Sequence, residues 1–121
     1  ICVACKVAMV AESLLFCKEE GISILSDGFE STQDYYPEQT KEFMEEVWSF
    51  VKKYGVDYLH PIYDWSREKI EDYVKGYDME FEDSQPSCLF GFNPVDNDNI
   101  REYTKKKILL VEEYLKGKIK E

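Results

Sequence analysis

The sequence is short of what nucleic-acid grips, membrane spans and secreted scaffolds are built from. Lys and Arg number 15 against 25 Asp and Glu, a formal charge of −10. Such a field repels phosphate backbones and argues against this chain alone gripping nucleic acid. Lys105, Lys106, Lys107, Lys116, Lys118 and Lys120 fall on one predicted helix; they read as its solvated face, with an RNA contact as the alternative. No apolar run approaches the ~20 residues that cross a bilayer. The best candidate, Val7 to Cys17, is short and carries Glu12, so it reads as an amphipathic helix, and a cytoplasmic protein without a membrane role is expected. Repeats and low-complexity tracts are absent. Histidine occurs once, at His60. The chain begins at Ile1 and not at Met, and is expected to be processed or a piece of something longer.

What is present is enough for one core: 121 residues, 44% of them hydrophobic and 15% aromatic, the size and composition of one folded domain. Val7, Ala8, Val10, Ala11, Leu14, Leu15 and Cys17 recur at helical spacing. They predict a helix over about 6–20, closed by Gly21. Ile22, Ile24 and Leu25 predict a short buried parallel strand ending at Ser26, Asp27 and Gly28. After a polar loop, Pro37 suits the first turn of a helix whose Phe43, Met44, Val47, Trp48 and Val51 form a stripe up to Gly55. Val56, Tyr58 and Leu59 predict a second strand, which His60-Pro61 ends. Ser66 is a good N-cap for a helix over 67–75, stopped by Gly76. The stretch 77–99 is irregular and holds Cys88; a last helix over about 100–118 is expected to bury Tyr103, Ile108, Val111 and Leu115. This alternation predicts an α/β fold with crossover connections. Two strands make a poor sheet, so further strands are expected from an N-terminal segment or a partner.

The candidate chemistry begins with cysteine. Four cysteines would suggest disulfides in a secreted chain; without a secretory signal they favour thiols, metal or catalysis. Cys2 and Cys5 form a CxxC where a helix begins, a setting whose free amides favour the thiolate that ligates metal or attacks sulfur. Cys88 is available in a loop as a third ligand, whereas Cys17 lies on the apolar helix face and reads as a buried hydrophobe. Asp27, Glu30 and Asp34 follow the first strand, where α/β sheets place ligands; they read either as a magnesium site or as turn and capping residues. His60, at a strand end, could act as a base or simply pack or cap. Trp48 and Trp65 are expected in the core or its rim.

The run Cys2-Val3-Ala4-Cys5-Lys6, the strand ending in Asp27-Gly28, and the loop with Glu30, Ser31 and Gln33 resemble the second half of a PP-loop domain. His60-Pro61-Ile62, Ser66-Arg67-Glu68-Lys69-Ile70 and Ser87-Cys88-Leu89-Phe90-Gly91 continue that resemblance to residue 91. The family is the PP-loop ATP-pyrophosphatases (adenine nucleotide alpha hydrolase-like), of the tRNA 2-thiolation, or sulfurtransferase, type. The resemblance implies a Rossmann-like (HUP/PP-loop) three-layer sandwich, present here in part, with parallel strands and flanking helices. Residues 1–91 would be the C-terminal half of that domain, and 92–121 a loop and helix packing on it. It implies an ATP- and Mg2+-dependent enzyme that adenylates tRNA or a related substrate before sulfur transfer. Cys5 and Cys88 would be the sulfur-relay pair, or Cys2, Cys5 and Cys88 the ligands of a four-iron cluster with one open iron, zinc being the other metal considered. Substrate contacts would fall on Lys6, Asp27, Gly28, Glu30, Ser31 and Gln33. The family's phosphate-gripping SGGxDS segment is not in the chain, so ATP binding would need an N-terminal PP-loop segment or subunit, and tRNA would be held through another domain. Homo-oligomerisation stays open, as does the alternative of a non-catalytic metal-binding or partner-docking α/β module.

Overall fold

The computed structural model describes residues 2–79 and 99–119. Within them the chain is mixed α/β and mostly helical. Helix α1 (Cys2–Glu20) leads to strand β1 (Ile24–Ser26), helix α2 (Lys41–Lys52), strand β2 (Asp57–Leu59), helix α3 (Arg67–Lys75) and helix α4 (Ile100–Leu115). The strands pair in parallel, with Ile24 opposite Asp57, Leu25 opposite Tyr58 and Ser26 opposite Leu59. A parallel pair needs a crossover connection, and α2 supplies it.

Local chemistry sets the element ends. Gly21 adopts φ +68°, open to glycine at little cost, and the Ile22 N–H donates to the Cys17 carbonyl at 2.8 Å, the six-to-one bond of a Schellman ending. Helix α1 begins at Cys2, a turn earlier than the apolar periodicity predicts, so both thiols of the CxxC lie inside the helix. Pro37 does not open α2. It forms a separate 3-10 turn over Pro37–Gln39, and Thr40 caps α2 instead, its Oγ1 accepting the Phe43 N–H at 3.3 Å. Ser66 caps α3 as expected, accepting the Lys69 N–H at 3.2 Å. Beyond α3 the left-handed residue is Asp78 (φ +54°), whereas Gly76 stays right-handed.

The core gathers Val3, Val7 and Leu14 of α1, Phe43, Val47, Phe50 and Val51 of α2, and Ile100, Ile108 and Leu115 of α4, together with Val56 and Tyr58. Helix α4 packs against both α1 and α2. Arg101 ties it to Glu46 and Glu45 at 2.7 and 2.8 Å, and Lys53 reaches Glu112 at 3.0 Å. Two expected core positions of α4, Tyr103 and Val111, are only half-buried. Thr104 is fully buried in their place, its hydroxyl satisfied by the Ile100 carbonyl at 2.7 Å, a back-bond that lets a polar side chain sit at a core position.

Strand β1 is not the buried strand its residues predict. Ile24 is 56% exposed, and among the described residues β1 pairs with β2 alone. Trp48 is likewise exposed and Trp65 half-buried. The packing therefore predicts that Phe43→Ala lowers unfolding stability by about 3–5 kcal/mol, the range for emptying a buried aromatic site. Trp48→Ala, on the outer face of the same helix, should cost about 1 kcal/mol or less; urea titrations of both variants check the contrast.

Candidate functional site

Parallel register carries the polar residues that follow the two strands to one place. Because Ser26 pairs with Leu59, the next residues, Asp27 and His60, meet at the carboxyl edge of the sheet, where open α/β sheets place their ligands. The Asp27 N–H still donates to the Leu59 carbonyl at 3.2 Å. Asp27 Oδ1 accepts the Phe29 N–H at 3.1 Å, a local turn that fixes the carboxylate, and lies 2.8 Å from His60 Nδ1. The Asp27 and His60 side chains are 12% and 11% exposed. The rings of Phe29 and His60 stack within 2° of parallel at 5.6 Å, and Tyr58 leans on the imidazole at 4.6 Å.

The electrostatics assign the protons. Burial works to raise the Asp27 carboxyl, but the bonds from His60 and Phe29 N–H and the adjacent Tyr58 hydroxyl outweigh it, so the group sits below the ordinary aspartate value of 3.8. Tyr58 does not complete a hydrogen bond to the second oxygen, and Oδ2 has no partner. Burial, reinforced by the neighbouring carboxylate, pushes the Tyr58 phenol far above its ordinary 10.0 and keeps it protonated. An ionised carboxylate only accepts, so His60 Nδ1 must carry the proton that binds it. The other ring nitrogen, Nε2, is buried and unpartnered.

Beside this pair, Glu30 is buried at 7% exposure and is neutralised by Arg67 Nη1 at 3.0 and 3.3 Å, with Thr32 Oγ1 donating at 3.0 Å. The Glu30 N–H donates to Gln39 Oε1 at 3.1 Å, Gln39 Nε2 donates to Gln33 Oε1 at 2.9 Å, and the Ser31 N–H reaches the Tyr63 carbonyl at 2.9 Å. Ser31 thus ties the 29–39 loop to the turn after β2, Glu30 ties it to the start of α3, and Gln33 braces it internally. Gly28 is exposed, with open space around its Cα.

A helix that precedes a parallel strand points its N-terminus at that strand's carboxyl edge, and α1 does so. Lys6 Nζ lies over the Phe29 ring at 4.6 Å. The first turn of α1, with Cys5 exposed and Cys2 half-buried, is thereby on the same side of the molecule as Asp27 and His60. Cys17 is buried in the core, as its place on the apolar face predicts. Cys88, and with it the junction between the residue ranges 1–91 and 92–121, lies outside the described residues.

Asp27 and Glu30 are each engaged with protein partners, and Asp34 is exposed. Among the described residues no three His, Cys, Asp or Glu side chains gather to hold a metal ion. Cys2 and Cys5, three residues apart on α1, are neighbours on one helix face.

The arrangement that sequence reasoning undervalued is the Asp27–His60 pair. Its signal was present: each residue stands one position beyond a predicted strand, and strands in register bring such positions together. Arg67 as the partner of Glu30 had no comparable signal, since 37 residues separate them.

No family model matches the chain, and comparisons with curated proteins and with solved structures return no match.

The Asp27 arrangement predicts a pH dependence with a definite sign. A carboxyl depressed in the folded state contributes stability in full above its unfolded value of 3.8 and loses it as pH falls through the lower folded value. Asp27→Asn should destabilise the protein by about 1–3 kcal/mol at neutral pH. That difference from the parent should shrink below pH 3.8, as measured by urea unfolding across an acid series.

Proposed function

We propose that this chain is part of a PP-loop-type, ATP-dependent adenylating enzyme of the sulfurtransferase class acting on tRNA or a related substrate. Its sandwich would be Rossmann-like, completed by strands not among the described residues. The observation that carries the reading is the convergence at one sheet edge: the CxxC turn of α1 meets, through Lys6 and Phe29, the loop that follows β1. Sheets of this class bind nucleotides and run their chemistry at that edge. Cys2, Cys5 and Cys88 act as sulfur-relay thiols or as ligands of an iron–sulfur cluster, with Lys6, Asp27 and Gly28 nearest the substrate.

The chain's own residues do not fit ATP by themselves. They hold no glycine-rich phosphate loop, so the pyrophosphate grip, and the Mg2+ that accompanies it, belong to an N-terminal segment or partner subunit. The outer edge of β1 is where that segment docks. A groove of about 460 Å³ runs there between α1 and β1, with Phe16 58%, Ile22 40% and Ile24 56% exposed, an apolar border suited to a further strand. The same open edge favours a second reading, a non-catalytic module that binds metal through its thiols and docks a partner. The surplus of acidic side chains leaves tRNA to be gripped by another domain.

Anaerobic reconstitution with iron and sulfide tests the thiol site. A visible charge-transfer spectrum with about four irons per chain is expected for the cluster; for the relay, a separate incubation with thiosulfate, which transfers its outer sulfur to a thiol and leaves as sulfite, should give a protein persulfide by mass spectrometry. Cys5→Ser and Cys88→Ser should each lower the iron content or abolish the persulfide. Full retention of both signals in both variants would remove these thiols from the function.

A further inference from the structure

We infer that the outer face of α4 is a self-association surface: two copies of this chain pair their α4 helices antiparallel, about a two-fold axis that passes between Leu109 and Leu110. The surface uses none of the thiols and none of the residues at the Asp27–His60 edge.

The helix divides into two faces. Ile100, Thr104, Ile108 and Leu115, at spacings of four and seven, are buried where α4 packs on α1 and α2. The opposite face carries Glu102, Lys106, Leu109, Leu110 and Glu113, all exposed, which recur three and four residues apart and so form one stripe. Leu109 and Leu110 are each 63% exposed. They stand in the middle of the stripe with charged side chains on either side, the order of an apolar interface centre and its polar rim.

The charges select a second copy as the occupant. Lys106 stands three residues before Leu109, and Glu113 three residues after Leu110. When two such helices lie antiparallel, positions equally far from the midpoint on opposite sides face each other. Lys106 of one copy then meets Glu113 of its partner, the same pair recurs across the axis, and Leu109 packs on the partner's Leu110. A two-fold contact requires a surface that complements itself; a parallel pairing would instead set lysine against lysine and glutamate against glutamate. The existing partners do not hold these side chains in place. Lys106 reaches Glu102 at 3.8 Å and Lys116 reaches Glu113 at 2.5 Å, both exposed pairs within the chain, and such pairs contribute little. The face is also where two acidic chains approach at least cost. Against a net charge of −10, residues 100–115 hold four basic side chains, Arg101, Lys105, Lys106 and Lys107, and three acidic ones, Glu102, Glu112 and Glu113. One helix pair is small beside the ~1,200–2,000 Å² of a stable interface, so the dimer is weak and forms as concentration rises.

Sedimentation equilibrium of the full chain at physiological ionic strength tests this. Between about 1 μM and about 1 mM, the mean mass should climb from 14.3 kDa toward twice that value. Leu109→Gln/Leu110→Gln should keep its helix content by circular dichroism, because both side chains are exposed, and should weaken association by about tenfold or more. Lys106→Glu and Glu113→Lys change the net charge in opposite directions, yet each should weaken association by about threefold or more, and the two together should restore it to within about twofold of the parent. A chain that stays at 14.3 kDa throughout overturns the proposal and leaves the leucines to a different partner. A dimer that Leu109→Gln/Leu110→Gln leaves intact also overturns it, since the contact then lies elsewhere on the molecule. So does a double reversal that associates no more tightly than the single ones, because the two charges then do not meet.

Discussion

The parallel pairing of Ile24–Ser26 with Asp57–Leu59 is the constraint on which the rest of the molecule depends. Three residues a side is a small ladder, yet its register decides which side chains can meet. One step beyond the ladder it places Asp27 against His60; a slip of one residue would turn every side chain to the opposite face and separate them. The pairing also requires the chain to return over α2, which brings Phe43, Val47, Phe50 and Val51 onto the core that α1 and α4 share. Core and site are thus two results of one strand alignment.

Burying acid is the difficulty that the site resolves. A chain with ten more acidic than basic residues should keep carboxylates in water, yet Glu30 is buried and Asp27 nearly so. Each is held by specific partners. Glu30 takes the Arg67 guanidinium and the Thr32 hydroxyl, and Asp27 takes an imidazole N–H and a backbone N–H. Buried charge persists only where bonds of this kind replace hydration. The Glu30–Arg67 pair clamps the loop after β1 to the start of α3, the Ser31–Tyr63 backbone bond holds the same loop against the turn after β2, and the Gln33–Gln39 bond braces the loop internally. A preorganised edge is what a binding site requires, since the positioning is complete before a ligand arrives.

The opposite border of the sheet has another character. Beside β1, Phe16, Ile22 and Ile24 stay exposed, and the backbone there is paired on one side only among the described residues. An apolar, half-paired strand is a liability in isolation and a ready interface in company. The molecule therefore has a rigid polar edge at the carboxyl ends of its strands and an open apolar flank at β1.

Most of the element order was legible in the residues. Apolar spacing located α1, α2 and α4, Ser66 marked the start of α3, Gly21 the end of α1, and the short apolar runs at Ile22–Leu25 and Val56–Leu59 marked the strands, because capping and periodicity act over a few residues. The errors came where a competing cap or a distant partner decides. Pro37 suits a helix start, but the side chain of Thr40 satisfies the helix amides better, so α2 begins there. Tyr103 and Val111 look like core residues by spacing, while the rotation of α4 against α1 and α2 buries Thr104 instead. Ile24 has the composition of a buried strand residue, and burial needs a neighbour that composition cannot supply. The sequence by itself determined the acidic charge, the single histidine, the alternation of helix and strand, and the CxxC at the head of α1. Only the tertiary structure decided that Asp27 and His60 bond to each other, that Arg67 neutralises Glu30, and that Lys6 of α1 lies over the Phe29 ring. Those contacts join residues tens of positions apart, and strand register and helix packing, which no local pattern encodes, set the distances between them.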